Sequence, residues 1–146
     1  MFKAKGRITY DPKRSFKNRQ HNWLTIELIK FEETAAYMRW LIDRYWWEAD
    51  VSPLKRDYCR PPHYPHVSII RGENLRANKS DWGKHHSGKI VEIEYSNMIR
   101  RTPNNKHWFV DAHSPVVPLM RKHYGLDWQR NGVAFKGHIT VARVHD

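Results

Sequence analysis

The sequence predicts a single α+β domain, residues 1–146, built from two pseudo-symmetric strand–helix–strand lobes around a central cleft. Two observations carry this expectation. The first is a pair of apolar strands with the same order of residue types, Pro65-His66-Val67-Ser68-Ile69-Ile70-Arg71 and Gly137-His138-Ile139-Thr140-Val141-Ala142-Arg143. The second is what precedes them. Strand 22–29 and helix 31–49 lead into the first, and strand 107–113 and helix 114–124 lead into the second, strand 136–144. Neither half can bury its own sheet face alone, so the two belong to one domain.

Each element has a local reason. Gly6-Arg7-Ile8-Thr9-Tyr10 reads as a short strand ending at Asp11-Pro12, followed by a basic loop over 13–19 that attracts phosphate weakly. Asn22 to Ile29 alternates as a strand. Phe31 to Ala49 lacks Gly and Pro, places Ala35, Met38 and Ile42 at helical spacing and has Glu32 and Glu33 in its first turn. Its tryptophans, Trp40, Trp46 and Trp47, read as packing groups. The proline-rich stretch 51–65 favours extended backbone and fixes how the chain enters the strand at His66.

Farther on, Asn74 to His86 is polar, with a short helix expected around Leu75 to Trp82 and His85-His86 in a turn. Lys89 to Tyr95 alternates, with Glu92 and Glu94 on one face. Residues 96–106 read as a loop and His107 to His113 as a strand. Ser114-Pro115 has the signature of an N-cap followed by proline at the first helical position, and Gly125 that of a C-terminal stop. Leu126 to Ala134 reads as a loop, and the last strand begins at Phe135.

Lys and Arg number 26 against 15 acids, a net charge of +11, which points to an anionic partner such as a nucleotide or another phosphate ester. A basic surface without a function is the plain alternative. Cys59 is the only cysteine, so no disulfide framework or cysteine-based zinc site is expected. The other histidines (His21, His63, His85, His86, His107, His113, His123 and His145) have no carboxylate or cysteine partner at ligand spacing, and no metal or cofactor is expected. Without a signal peptide or spanning segment, the expected location is the cytoplasm, with no membrane partner.

The chemistry lies in the paired motifs. At period two, His66 and Ser68 share one face of their strand, and His138 and Thr140 share one face of theirs, about 6–7 Å apart along each ridge. Two histidines facing one phosphate can act as general base and general acid, and two hydroxyls can donate to its non-bridging oxygens. Arg71 and Arg143 stand at an odd offset from their histidines, which on a regular strand turns them away from the cleft; a bulge would reverse that. Tyr10 is the candidate substrate-binding aromatic, with a core role as its equal alternative.

This arrangement resembles the 2H phosphoesterase superfamily, on the strength of His66-Val67-Ser68, His138-Ile139-Thr140 and the duplicated layout. Within it the chain looks most like the phage anti-CBASS nucleases that destroy cyclic oligonucleotide second messengers. The stretches Lys5 to Pro12, His66 to Glu73 and His138 to Arg143 support that narrower likeness. With few residues following Thr140, any binding group that relatives supply from a longer C-terminal tail is expected to be absent or replaced.

The resemblance implies a bilobal fold and metal-independent cleavage of phosphodiesters in the cytoplasm of a phage-infected host. One histidine deprotonates a ribose 2′-hydroxyl or a water, and the other protonates the departing 5′-oxygen. Processing of RNA ends bearing a 2′,3′-cyclic phosphate would use the same four residues. A non-catalytic RNA- or nucleotide-binding module is the alternative from another class.

Overall fold

The computed structural model describes residues 2–12, 22–29, 33, 36, 37, 40, 59–60, 65–102, 107–127, 129–130, 133–134 and 137–144. Its strands are β1 (Phe2–Tyr10), β2 (Trp23–Leu28), β3 (Cys59–Arg60), β4 (His66–Arg71), β5 (Ile90–Tyr95), β6 (Arg100–Arg101), β7 (His107–His113), β8 (Gln129–Arg130), β9 (Val133–Ala134) and β10 (His138–Val144). The α-helix α1 (Val116–His123) and a 3-10 turn at Lys79–Asp81 follow, and Glu33, Ala36, Tyr37 and Trp40 are helical as well. No helix among the described residues is long and apolar enough to cross a membrane.

The first strand is longer than the sequence predicts. Lys3 faces Glu94 and Lys5 faces Glu92 on β5, so opposite charges on facing positions carry the ladder back to Phe2. Its inward face presents Gly6 and Ile8 to the core, and β2 follows antiparallel with Leu24, Ile26 and Leu28 turned the same way. β2 is buried almost throughout, and Glu27 is its one half-buried residue.

All strand pairs are antiparallel, in the order β3-β10-β4-β2-β1-β5-β7-β6, and β10 also pairs with β7. That extra pairing closes β10, β4, β2, β1, β5 and β7 into a barrel. The ring is not evenly stitched. Long registers join β4 to β2, β2 to β1, β1 to β5 and β10 to β7. Between β5 and β7 the register covers only Glu94↔His113 and Tyr95↔Ala112. Between β10 and β4 it is the single pair Ile139↔Val67.

The barrel's interior is aliphatic: Ile8, Leu24, Ile26, Ile69, Ile70, Ile93, Val110 and Ile139 are each at most 1% exposed. α1 packs Val117 and Met120 against this cluster, and Tyr124 closes it just beyond the helix. Burying each such side chain contributes about 1.5–3 kcal/mol. Arg121, also on α1, is 1% exposed and grips Glu73 through both terminal nitrogens at 2.7 and 2.8 Å. It also donates to the backbone oxygens of Ile69 and Asp127.

Several local expectations need revision. The helix expected around Leu75–Trp82 is only the 3-10 turn, because Asn78 enters it with φ 52°, a left-handed conformation that cannot continue an α-helix. Ser114 makes no side-chain capping bond among the described residues; the helical backbone begins at Pro115, and Val117 donates to the Ser114 carbonyl instead. Gly125, with φ +73°, stops α1 as expected. The loops 96–106 and 126–134 contain two-residue strands, β6 in the first and the β8–β9 hairpin in the second. Of the helix expected over 31–49, Glu33, Ala36, Tyr37 and Trp40 are described and helical. Trp46, Trp47, the basic loop 13–19 and the start of the last strand at Phe135 lie outside the described residues.

Candidate active site

The two motif strands meet at their cores. Val67 and Ile139 face each other across the β4–β10 seam, and both point into the barrel. Side chains alternate, so His66, Ser68, His138 and Thr140 all lie on the opposite, outer face. Extending the register one residue each way sets His66 across from Thr140 and Ser68 across from His138. On a regular ladder directly facing pairs hold their Cβ atoms about 4.5–5.5 Å apart, and diagonal pairs such as the two histidines about 7–8 Å. The structure thus brings together the four residues that the sequence singles out.

Gly137 makes the approach possible. A Cβ there would lie 2.7 Å from the Ala112 carbonyl oxygen and 3.2 Å from a Val67 methyl, so only glycine lets the start of β10 settle between β7 and β4.

Each histidine leans on an aromatic ring from the neighbouring strand. Trp23 meets His66 edge-on with centroids 5.3 Å apart, and Phe109 meets His138 likewise at 5.5 Å. An arginine covers each ring in turn: the Arg71 guanidinium lies 5.2 Å from the Trp23 ring, and that of Arg100 lies 5.6 Å from Phe109. The Trp23 indole N–H donates to Ser68 Oγ at 3.1 Å. That bond occupies a lone pair of the hydroxyl and leaves its proton to donate elsewhere.

Arg71 is on the site side, contrary to the expectation from a regular strand. Leu24 pairs with Ile70 and Thr25 with Ser68, so Ile69 is an extra residue, a bulge, on β4. Ile69 and Ile70 are both buried, the alternation slips by one, and Arg71 emerges on the face of His66 and Ser68. Arg143 keeps its backbone register with Arg60 and His107, but its side chain lies outside the described residues.

His138 is open to solvent on one side and packed against protein on the other. Desolvation of the charged ring lowers its pKa from the usual imidazole value, and the positive charge of Arg71 pushes the same way, against Asp111. The shift favours the neutral ring.

Tyr10 stands apart from this group. It lies on the inward side of β1 and packs against the core beside Trp82 and Tyr124, with ring centroids 4.9 and 6.4 Å away. Its hydroxyl donates to the His85 carbonyl at 2.6 Å and shares a 2.6 Å bond with the Tyr124 hydroxyl. Burial and that shared bond push its phenol pKa well up. Of the two sequence readings of Tyr10, this geometry favours the core one.

Sequence reasoning misses Trp23, Phe109 and Arg100, whose roles depend on cross-strand register. Among the described residues no group of three or more His, Cys, Asp or Glu converges as a metal site. No protein-family model, curated protein or solved structure matches this chain.

Proposed function

We propose that the protein is a metal-independent phosphodiesterase of the 2H type, cleaving cyclic oligonucleotide second messengers at 3′–5′ linkages and so serving phage evasion of host CBASS defence. The observation that carries this reading is the quartet His66, Ser68, His138 and Thr140 on one face of two strands meeting at Val67–Ile139. A diagonal of about 7–8 Å between the histidines leaves room for a phosphodiester, one ring at the attacking oxygen and one at the leaving oxygen. The narrow registers at the β4–β10 and β5–β7 seams support a bilobal description, with β1, β2, β4 and β5 in one lobe and β6, β7 and β10 in the other.

In this mechanism His138, held neutral, takes the proton from a ribose 2′-hydroxyl or a water as that oxygen bonds to phosphorus. The P–O5′ bond breaks, and His66 gives its proton to O5′. Ser68, Thr140 and Arg71 stabilise the charge that develops on the non-bridging oxygens.

The pH profile tests the assignment of the base. Because the His138 pKa is lowered, the acidic limb of kcat/KM falls below the ordinary imidazole range. Arg71→Gln removes a positive charge that disfavours the imidazolium, so the limb moves to higher pH. A limb that stays in place in this variant would remove His138 from the role of base.

The reading as a whole is tested by incubating the protein with cyclic di- and trinucleotides, 2′,3′-cyclic mononucleotides and linear RNA, with and without excess EDTA. Turnover of cyclic oligonucleotides in EDTA is expected. Turnover of the cyclic mononucleotides alone would reassign the protein to RNA-end processing, and binding without turnover would make it a binding module.

A further inference from the structure

Two carboxylates near the quartet have no role in the chemistry described above. Glu27 faces His66 across the β2–β4 ladder, and Asp111 faces His138 across the β7–β10 ladder. Facing residues of an antiparallel pair hold their Cβ atoms about 4.5–5.5 Å apart, close enough for a carboxylate and an imidazole to feel each other's charge. Both acids are half-buried, where that charge is less screened than in open water.

Each carboxylate has an arginine on its other flank. Arg7 faces Glu27 across the β1–β2 ladder. Arg100 reaches both Asp111 oxygens through one terminal nitrogen, at 2.9 and 3.2 Å. The order arginine, carboxylate, histidine therefore occurs twice. In each case the carboxylate is on the strand that precedes the helical segment of its strand–helix–strand unit, and the histidine is on the strand that follows.

We propose that Glu27 and Asp111 are positioning residues, each stabilising the imidazolium that its facing histidine becomes while it carries the proton. The proposal rests on the two-histidine phosphodiesterase reading and adds to it the groups that support proton transfer.

In that chemistry each histidine passes through its charged form, and in a chain this basic the charged form needs a counter-charge. His138 is faced by Arg71 from β4 and by His107 and Asp111 from β7, with Arg100 of β6 behind Asp111; Asp111 is the one negative group among them. His66 is faced by Glu27 from β2, with Arg7 of β1 behind it. A merely structural reading treats both acids as partners of surface arginines. Such half-exposed pairs contribute little to stability, and their loss would leave the histidines unchanged.

The test uses Asp111→Asn and Glu27→Gln, which keep side-chain shape and remove charge. NMR titration of the imidazoles and steady-state kinetics are measured together. Asp111→Asn is expected to move the His138 titration to lower pH and to reduce kcat roughly ten- to hundredfold with KM little changed. Asp111→Glu restores both. Glu27→Gln is expected to reduce kcat similarly and to shift the His66 ring resonances while leaving those of His138 in place. An unmoved His138 titration in Asp111→Asn, or an unchanged kcat in both variants, overturns the proposal. If the unaltered protein cleaves no phosphodiester, the functional reading fails on its own, while the titration still decides whether the carboxylate acts on the imidazole.

Discussion

Replacing His66 or His138 with alanine is expected to abolish measurable turnover while leaving the fold intact. General acid or base catalysis by one positioned side chain contributes about 10²–10⁴-fold, and in the proposed mechanism the two histidines act on the same bond change. Their losses should therefore not add: the double variant falls little below the worse single one. Both rings stand on the outer face of the barrel, so their removal leaves the aliphatic interior untouched. Binding of an uncleaved substrate analogue, measured by calorimetry, should persist in both variants through Ser68, Thr140 and Arg71. Native-rate turnover in either single variant would sink the two-histidine mechanism.

The second large effect concerns stability. Arg121→Ala removes the buried partner of an ion pair whose other member, Glu73, is largely buried, and takes the guanidinium bonds from the Glu73 carboxylate and the Ile69 and Asp127 carbonyls. Breaking such a pair from one side costs about 3–5 kcal/mol. Chemical denaturation should show that loss, and a change below about 1 kcal/mol would mean that water replaces the guanidinium without penalty. The double variant Arg121→Met with Glu73→Leu should recover much of the loss, because it removes both charges together.

The effect also reaches the site. Ile69 is the bulged residue of β4, and its carbonyl is held by Arg121 Nη1 at 2.9 Å. Loosening that bond frees the bulge that turns Arg71 toward His138. In Arg121→Ala the His138 titration should therefore rise toward the ordinary imidazole range, as it does in Arg71→Gln.

What the sequence discloses and what it hides divide along the range of the interactions. Alternation reveals β7 with its ends correct at His107 and His113, and it reveals the polar face of both motif strands. These are local signals, set by which side of a pleat each residue occupies. The bulge at Ile69 is invisible because two adjacent apolar residues fit either phase, and the side on which Arg71 emerges depends on that one residue. The carboxylates opposite the histidines are hidden for a related reason: a cross-strand neighbour depends on register, not on spacing along the chain. The two-residue strands β3, β6, β8 and β9 are too short to carry any periodicity. Closure of the barrel through β10 and β7 is a long-range pairing with no local mark in either strand.

The single Val67–Ile139 pair that joins the two motif strands has a consequence for any bound molecule. Two lengths of sheet meet there along a light stitch, and the stitch itself is a core contact, since Val67 and Ile139 are both buried. On the proposed reading, a ligand touching His66 and Ser68 on one strand and His138 and Thr140 on the other is a cross-brace over that stitch.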